Sequence, residues 1–272
     1  MPILTVLAIN AGACVALFAL LWLVALRLRD VTFVDAFWAL GMVTMAWSSQ
    51  IATGPMTPHK LALTALCSLW GLRLGGYLLW RWRSHGPDRR YVRMMEKAKD
   101  AKGWGFGEAT LRLVFATQAP LLFIVCLPVQ LGQIGTGEGP LGPVAFAGIA
   151  VGLFGVLFET VGDWQLTRFR ADPGNRGKVL STGLWRYTRH PNYFGDACAW
   201  WGLFLIAAET PYGLFALPGP VLLTWTLMKW SGAPTLEYRL RKTRPDYVRY
   251  METTSGFVPW LPKQSGTPVS GE

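Results

Sequence analysis

The stretch ILTVLAINAGACVALFALLWLVAL, residues 3–26, carries no charged side chain over 24 positions. A helix rises about 1.5 Å per residue, so about 20 apolar residues cross the hydrocarbon core of a bilayer. Arg27 and Arg29 follow the run directly. No basic segment precedes it and no cleavage pattern closes it, so it is expected to be a retained first span and not a signal peptide. Six further stretches have this character: roughly 33–52, 60–80, 111–131, 143–164, 193–209 and 213–230. The expected fold is an all-α integral membrane protein with seven transmembrane helices.

The basic residues test that count, because cytoplasmic loops concentrate Lys and Arg. With the N-terminus outside, the inside segments hold two basic residues after the first span and nine from Arg81 to Arg112. Six more run from Arg168 to Arg189 and seven from Lys229 to Lys263, which accounts for 24 of the 26. The outside loops 132–142 and 210–212 carry none. The C-terminus is therefore expected in the cytosol. Half of the 272 residues are apolar and only 15% are charged, which excludes disorder and disfavours a soluble domain. The net charge of +10 is spread over loops beside a membrane, so no nucleic-acid partner is required. The expected location is a bacterial inner membrane, crossed many times.

Several chemistries drop out. Cys14, Cys67, Cys126 and Cys198 each lie in apolar runs, and His59, His85 and His190 are far apart, so no metal site is expected. Gly135, Gly137 and Gly139 sit in a turn that follows no strand, so they are not a nucleotide loop. Residues 264–272 are rich in Gly, Ser and Pro and read as a disordered tail.

Ionisable groups inside spans are costly and point to function by default. Asp35 lies in span two and Arg73 in span three. Ion pairing between helices, for example Asp35 with Arg73, is the bland explanation. Glu159 and Asp163 are four apart on span five, hence on one face, and Asn192 and Asp196 repeat that spacing on span six. The carboxylates gather toward the cytosolic ends of their spans, as a pocket open to the cytosol requires. The richest stretch is GLWRYTRHPNYFGD, residues 183–196. Its Arg186 and Arg189 suit a phosphate, and Asn192 and Asp196 suit an amide or ribose hydroxyls.

Arg189-His190-Pro191-Asn192-Tyr193 followed by Gly195-Asp196 resembles the signature of membrane steroid 5α-reductases and sterol reductases. The pattern Glu159-x-x-x-Asp163-x-Gln165-x-x-x-Phe169-Arg170 is similar to the same family, as are Pro234-x-x-Glu237, Arg244-Pro245-x-Tyr247-x-x-Tyr250 and Phe257-Val258-Pro259. The resemblance covers most of the chain and is strongest from 159 to 260. It implies NADPH-dependent reduction of the C4=C5 bond of a 3-oxo-Δ4-steroid or a similar enone. It also implies one reductase domain over 1–263, with a substrate-side half at 1–131 and an NADPH-binding half at 143–263. Carried over by resemblance, the cofactor-binding residues are Glu159, Asp163, Arg170, Lys178, Tyr187, Arg189, His190, Asn192, Tyr193, Asp196, Glu237, Arg241 and Tyr247. NADPH is expected from the cytosol and a hydrophobic, steroid-like substrate from the membrane lipid.

In that family a Glu on span two and a Tyr on span three bind the 3-oxo group. Asp35 matches the first and Trp70, three residues before Arg73, stands at the second. Asp35, Trp70 and Arg73 are then the expected catalytic positions. An indole donates a hydrogen bond but cannot pass a proton. Asp35 can donate one only where burial raises its pKa. The Gly183–Pro191 loop with Glu237 is also similar to membrane isoprenylcysteine and phospholipid methyltransferases, which use S-adenosylmethionine.

Overall fold

Helix occupies each of the seven apolar stretches in a computed structural model of the chain, which describes residues 2–230 and 232–263. The described residues are 78% helical without a strand. Long helices are α1 (Ile3–Leu28), α2 (Val34–Thr53), α3 (Pro58–His85), α8 (Pro143–Ala171) and α9 (Pro191–Ala208). Shorter ones are α4 (Arg89–Lys102), α5 (Phe106–Thr110), α6 (Ala116–Val125), α7 (Leu127–Leu131), α10 (Pro218–Trp225), α11 (Ala233–Thr243) and α12 (Asp246–Thr253). Four helical runs are long and apolar enough to cross a membrane: Ile3–Leu28, Pro58–His85, Phe106–Val125 and Pro143–Ala171. The expected disordered tail, 264–272, lies outside the described residues.

Local chemistry sets the helix ends. Pro58 opens α3 behind Thr57, whose Oγ1 accepts from Lys60 N at 3.4 Å, and Gly86 closes it at φ 70°. Asp88 caps α4 by accepting from Arg90 N at 2.7 Å. The fourth predicted stretch is broken. A π turn spans Leu111–Phe115 ahead of Pro120, and α7 restarts at Leu127, because a proline inside a helix removes a donor and crowds the preceding turn.

The backbone divides into two compact units, Met1–Ile149 with Leu203–Pro220, and Ala150–Gly202 with Val221–Glu272. The division runs through α8 and α9 and not through the loop 132–142. In the first unit α2 and α3 touch backbone to backbone. A Cβ at Gly71 would lie 2.9 Å from Ala39 O, and one at Gly75 3.1 Å from Ala36 O. Asn10 Nδ2 donates to Ser49 Oγ at 2.7 Å and to Gln130 Oε1 at 3.1 Å, tying α1, α2 and α7 in a buried polar link. At one end of α3, Glu209 accepts from Gly142 N and Ala145 N, both at 2.9 Å, and faces His59 at 3.1 Å. At the other end, Asp30 accepts from Trp82 Nε1 at 2.7 Å and from Thr32, while Asp88 N donates to Thr32 Oγ1. Burial pushes the Asp30 carboxyl up, but the hydrogen bonds from Thr32 and Trp82 outweigh it and leave the pKa lowered.

In the second unit the seam is between α8 and the first half of α9. A Cβ on Gly155 would fall 2.4 Å from Ala199 N, and one on Gly195 would fall 2.5 Å from Glu159 N. Only hydrogen fits at either position. Gly195→Leu is therefore expected to cost about 1–3 kcal/mol or more through forced helix separation. Gly76→Ala, where a Cβ meets nothing within 4 Å, should be neutral or slightly stabilising. Thermal melts of both variants in detergent check this; equal melting temperatures would contradict it.

Candidate functional site

The glycine seam decides which polar groups meet in the second unit. With α8 and α9 in backbone contact, the face carrying Glu159 and Asp163 lies against the face carrying Asn192 and Asp196. Asn192 Nδ2 donates to Asp163 Oδ1 at 3.2 Å. Glu159, Asp163 and Asp196 are all buried, at 3%, 5% and 8% exposure. Three buried carboxylates thus lie on two facing helix faces, with the half-buried Asn192 bridging to Asp163, and taking their charge out of water is costly. Such an acceptor-rich set suits a ligand that brings hydroxyl and amide donors.

Beside it the loop before α9 is held from two directions. Trp185 Nε1 donates to Gly162 O at 3.1 Å, and Leu184 N donates to Gln165 Oε1 at 3.0 Å, so the loop is tied to α8. From the other side come α11, α12 and the strap after them. Arg189 Nε donates to Glu237 Oε1 at 2.7 Å, and His190 Nε2 lies 2.9 Å from the same oxygen. Arg189 Nη1 also donates to the carbonyls of Met251 and Thr254. Tyr250 Oη donates to Trp185 O at 2.5 Å. The His190 ring stacks on Tyr193, with centroids 5.2 Å apart and planes at 6°. Burial pushes the Glu237 carboxyl up, but hydrogen bonds from His190 and Arg189 and their charge bring it below the usual glutamate range. Tyr247 is raised, first by burial and then by the Glu237 charge.

Of the predicted cofactor residues, Glu159, Asp163, Asn192 and Asp196 form the buried face, and Arg189, His190, Tyr193, Glu237 and Tyr247 form the adjoining clasp. Arg170, Lys178, Tyr187 and Arg241 are exposed. Arg189 was expected to suit a phosphate, yet Nε and Nη1 are spent on Glu237 and two carbonyls. It orders the loop, and Arg170, Lys178 and Arg186 are the exposed cations around it.

In the first unit, Asp35 is the second residue of α2 and half-buried. It accepts from Arg90 Nη2 at 2.7 Å and from Tyr91 Oη at 2.5 Å. Gln118 Nε2 donates to Tyr91 Oη at 3.3 Å, and Gln118 Oε1 is buried without a hydrogen-bond partner. Asp35 is thus an acceptor here, and the proton of the pair is on Tyr91. Burial first, and then the Asp35 charge, raise the Tyr91 pKa well above that of a free tyrosine, so it stays protonated at neutral pH. Trp70 is fully enclosed on α3, with Arg73 half-buried three residues on.

Arg90, Tyr91 and Gln118 were not among the expected residues. The signal was present: in the segment 89–102 the apolar positions Tyr91, Met94, Met95 and Ala98 recur at helical spacing among six basic residues. The charge count hides that amphipathic helix inside a basic loop. The described residues contain no group of three or more His, Cys, Asp or Glu placed to hold a metal.

The Glu237 clasp has a signed pH consequence. A glutamate is ordinarily near 4.3, and Glu237 lies below that when folded. Its stabilisation is present in full above the ordinary value and is lost as pH falls through the lowered one. Glu237→Gln should lower the melting temperature at pH 7, by about 2–3 kcal/mol of stability, and make its decline below about pH 5 shallower. A variant with the wild-type acid profile would contradict this.

Sequence comparison gives two findings and one blank. Residues 21–254 match the family described as "Protein of unknown function (DUF1295)". An uncharacterized protein of Schizosaccharomyces pombe (strain 972) is 21% identical over 242 residues, a match covering 78% of this chain and 65% of that protein. The chain thus spans just under two thirds of that relative's length. No solved structure matches. The family match takes in both the Asp35 cluster and the α8–α9 face, and the chain belongs to the DUF1295 family.

Proposed function

We propose that this protein is an NADPH-dependent reductase of an electron-poor C=C bond, the 4-ene of a 3-oxo-steroid or a similar conjugated enone, in a hydrophobic substrate drawn from the bilayer. The observation that carries the reading is the pair of facing helix faces, with Glu159, Asp163 and Asp196 buried and Asn192 Nδ2 bonded to Asp163, set on the glycine seam beside loops that carry the exposed Lys178 and Arg186. Acceptors at depth and cations at the rim match a dinucleotide, which has amide and hydroxyl donors at its nicotinamide end and phosphates along its length. Bound NADPH supplies a hydride to the β-carbon of the enone.

The chain's own residues then have distinct tasks. Asn192 and Asp163 hold the amide and ribose donors, Arg170, Lys178 and Arg186 neutralise phosphate, and Arg189, His190 and Glu237 keep the loop in place. Tyr91, kept protonated, turns its single O–H from Asp35 to the substrate oxygen as enolate charge develops there, while Gln118 holds the phenol oxygen and Arg90 neutralises the Asp35 it leaves. Trp70 shapes the apolar wall. The enolate then takes a proton from solvent water at the α-carbon, which completes the reduction.

The seven-span reading, with the N-terminus outside and the C-terminus in the cytosol of a bacterial inner membrane, belongs to the same proposal. Helices occupy all seven stretches, four helical runs are long and apolar enough to cross a membrane, and seven spans put 24 of the 26 basic residues in inside segments. A second reading is S-adenosylmethionine-dependent methyl transfer. It is favoured by the direct bonding of Arg189 and His190 to Glu237, the loop and acid the methyltransferases share.

Three measurements test this. NADPH should raise the melting temperature of the purified protein more than NADH or S-adenosylmethionine at equal concentration; a larger shift with S-adenosylmethionine selects the second reading. Tyr91→Phe should cut enone reduction by roughly tenfold or more with NADPH affinity unchanged, whereas Asn192→Ala should lose NADPH affinity. Wild-type turnover in Tyr91→Phe would remove its role. In a cysteine-free background, Gly137→Cys should label from outside and Lys97→Cys from the cytosol; the reverse would overturn the topology.

A further inference from the structure

One apolar recess in the second unit has no role in the chemistry above. Tyr187, Pro259, Trp260 and Leu261 line a shallow recess, open to the surface, of about 360 Å³. Ligand pockets run from about 300 to 1,000 Å³, so this one takes a single flat group and not a whole dinucleotide. Trp260 and Leu261 are 71% and 73% exposed, and Tyr187 is 38% exposed. Exposed rings usually sit on mobile chain, but these are fixed by backbone. Trp260 N donates to Tyr187 O at 2.9 Å, Arg189 N to Ser255 O at 2.9 Å, and Thr188 Oγ1 to Phe257 O at 2.8 Å. Lys263 N donates to Thr253 O beyond them. The strap is therefore stitched along the same loop that carries Arg189 and His190.

We infer that this recess is the seat of an adenine ring, held against Trp260 and Tyr187. The inference rests on the nucleotide-binding reading and adds to it where the base goes. Its walls are apolar and aromatic, which suits the faces of a purine and not a phosphate. Exposed cations flank it along the chain, Arg186 next to Tyr187 and Lys263 just after Leu261, which suits an attached phosphate chain. The recess shares Tyr187 with the stretch 183–196 that leads to Asn192 and Asp196, so it continues the candidate site along the chain.

The test uses the full-length protein in nanodiscs, as wild type, Trp260→Ala and Trp260→Phe, with NADPH, S-adenosylmethionine and reduced nicotinamide mononucleotide as ligands. The mononucleotide lacks adenine. Trp260 binds the strap through its backbone N–H, so both variants should melt near wild type. Trp260→Ala should weaken NADPH by roughly tenfold or more, Trp260→Phe by less, and the mononucleotide not at all. Equal NADPH affinity in wild type and Trp260→Ala overturns the adenine seat and leaves the reductase reading standing. If wild type binds S-adenosylmethionine and not NADPH, and Trp260→Ala weakens it, the seat stands and the reductase reading falls. Binding of neither adenine ligand overturns both. Quenching of Trp260 fluorescence by brominated lipid, with nucleotide affinity unchanged in Trp260→Ala, assigns the recess to the bilayer and overturns the proposal.

Discussion

The backbone contact of α8 with α9 is the constraint on which the second unit depends. Gly155 and Gly195 each present hydrogen where a methyl group would meet main-chain atoms at about 2.5 Å. In a bilayer, burying apolar surface does little to drive helices together, so association relies on close packing at small residues. That closeness has a chemical consequence. Positions four apart on each helix share a face, so one contact sets the face of Glu159 and Asp163 against that of Asn192 and Asp196.

The two polar clusters differ in charge and in what they offer. The α8–α9 face is rich in acceptors and buried, and its cations lie on loops outside it. The Asp35 cluster holds a carboxylate, a guanidinium and a buried phenol, with the proton on Tyr91. One set suits a ligand with many donors, and the other suits an oxygen that gains negative charge. Under the proposed reductase reading each cluster has a task within its own unit, the first toward the cofactor and the second toward the substrate oxygen.

Much of this was legible in the sequence, and the losses have physical causes. Long apolar runs such as residues 3–26 and 143–164 announce helices because length and hydropathy suffice. The i, i+4 spacing of Glu159 with Asp163 and of Asn192 with Asp196 gave one face each, though only the glycine contact shows that the faces meet. Pro120 was visible, yet its π turn was not, because the response of a helix to proline depends on neighbours. Tyr91 was missed since a count of charges treats 89–102 as loop, while a helical reading would have placed it on the buried side. Arg189 suited a phosphate by residue type, but partners distant in sequence, Met251 and Thr254, claim its donors. Partners of that kind are set by tertiary packing and cannot be read from local spacing.

The most direct measurement of the central claim follows one hydrogen. The purified protein is incubated with NADPH deuterated at the nicotinamide C4 and a 3-oxo-Δ4-steroid, and the product is analysed by mass spectrometry and NMR. A reductase of the kind described here transfers one deuterium to the β-carbon, and in heavy water with ordinary NADPH places solvent deuterium at the α-carbon instead. Absence of a reduced product from this and other conjugated enones, with transfer of a labelled methyl group from S-adenosylmethionine to a lipid acceptor, would contradict it.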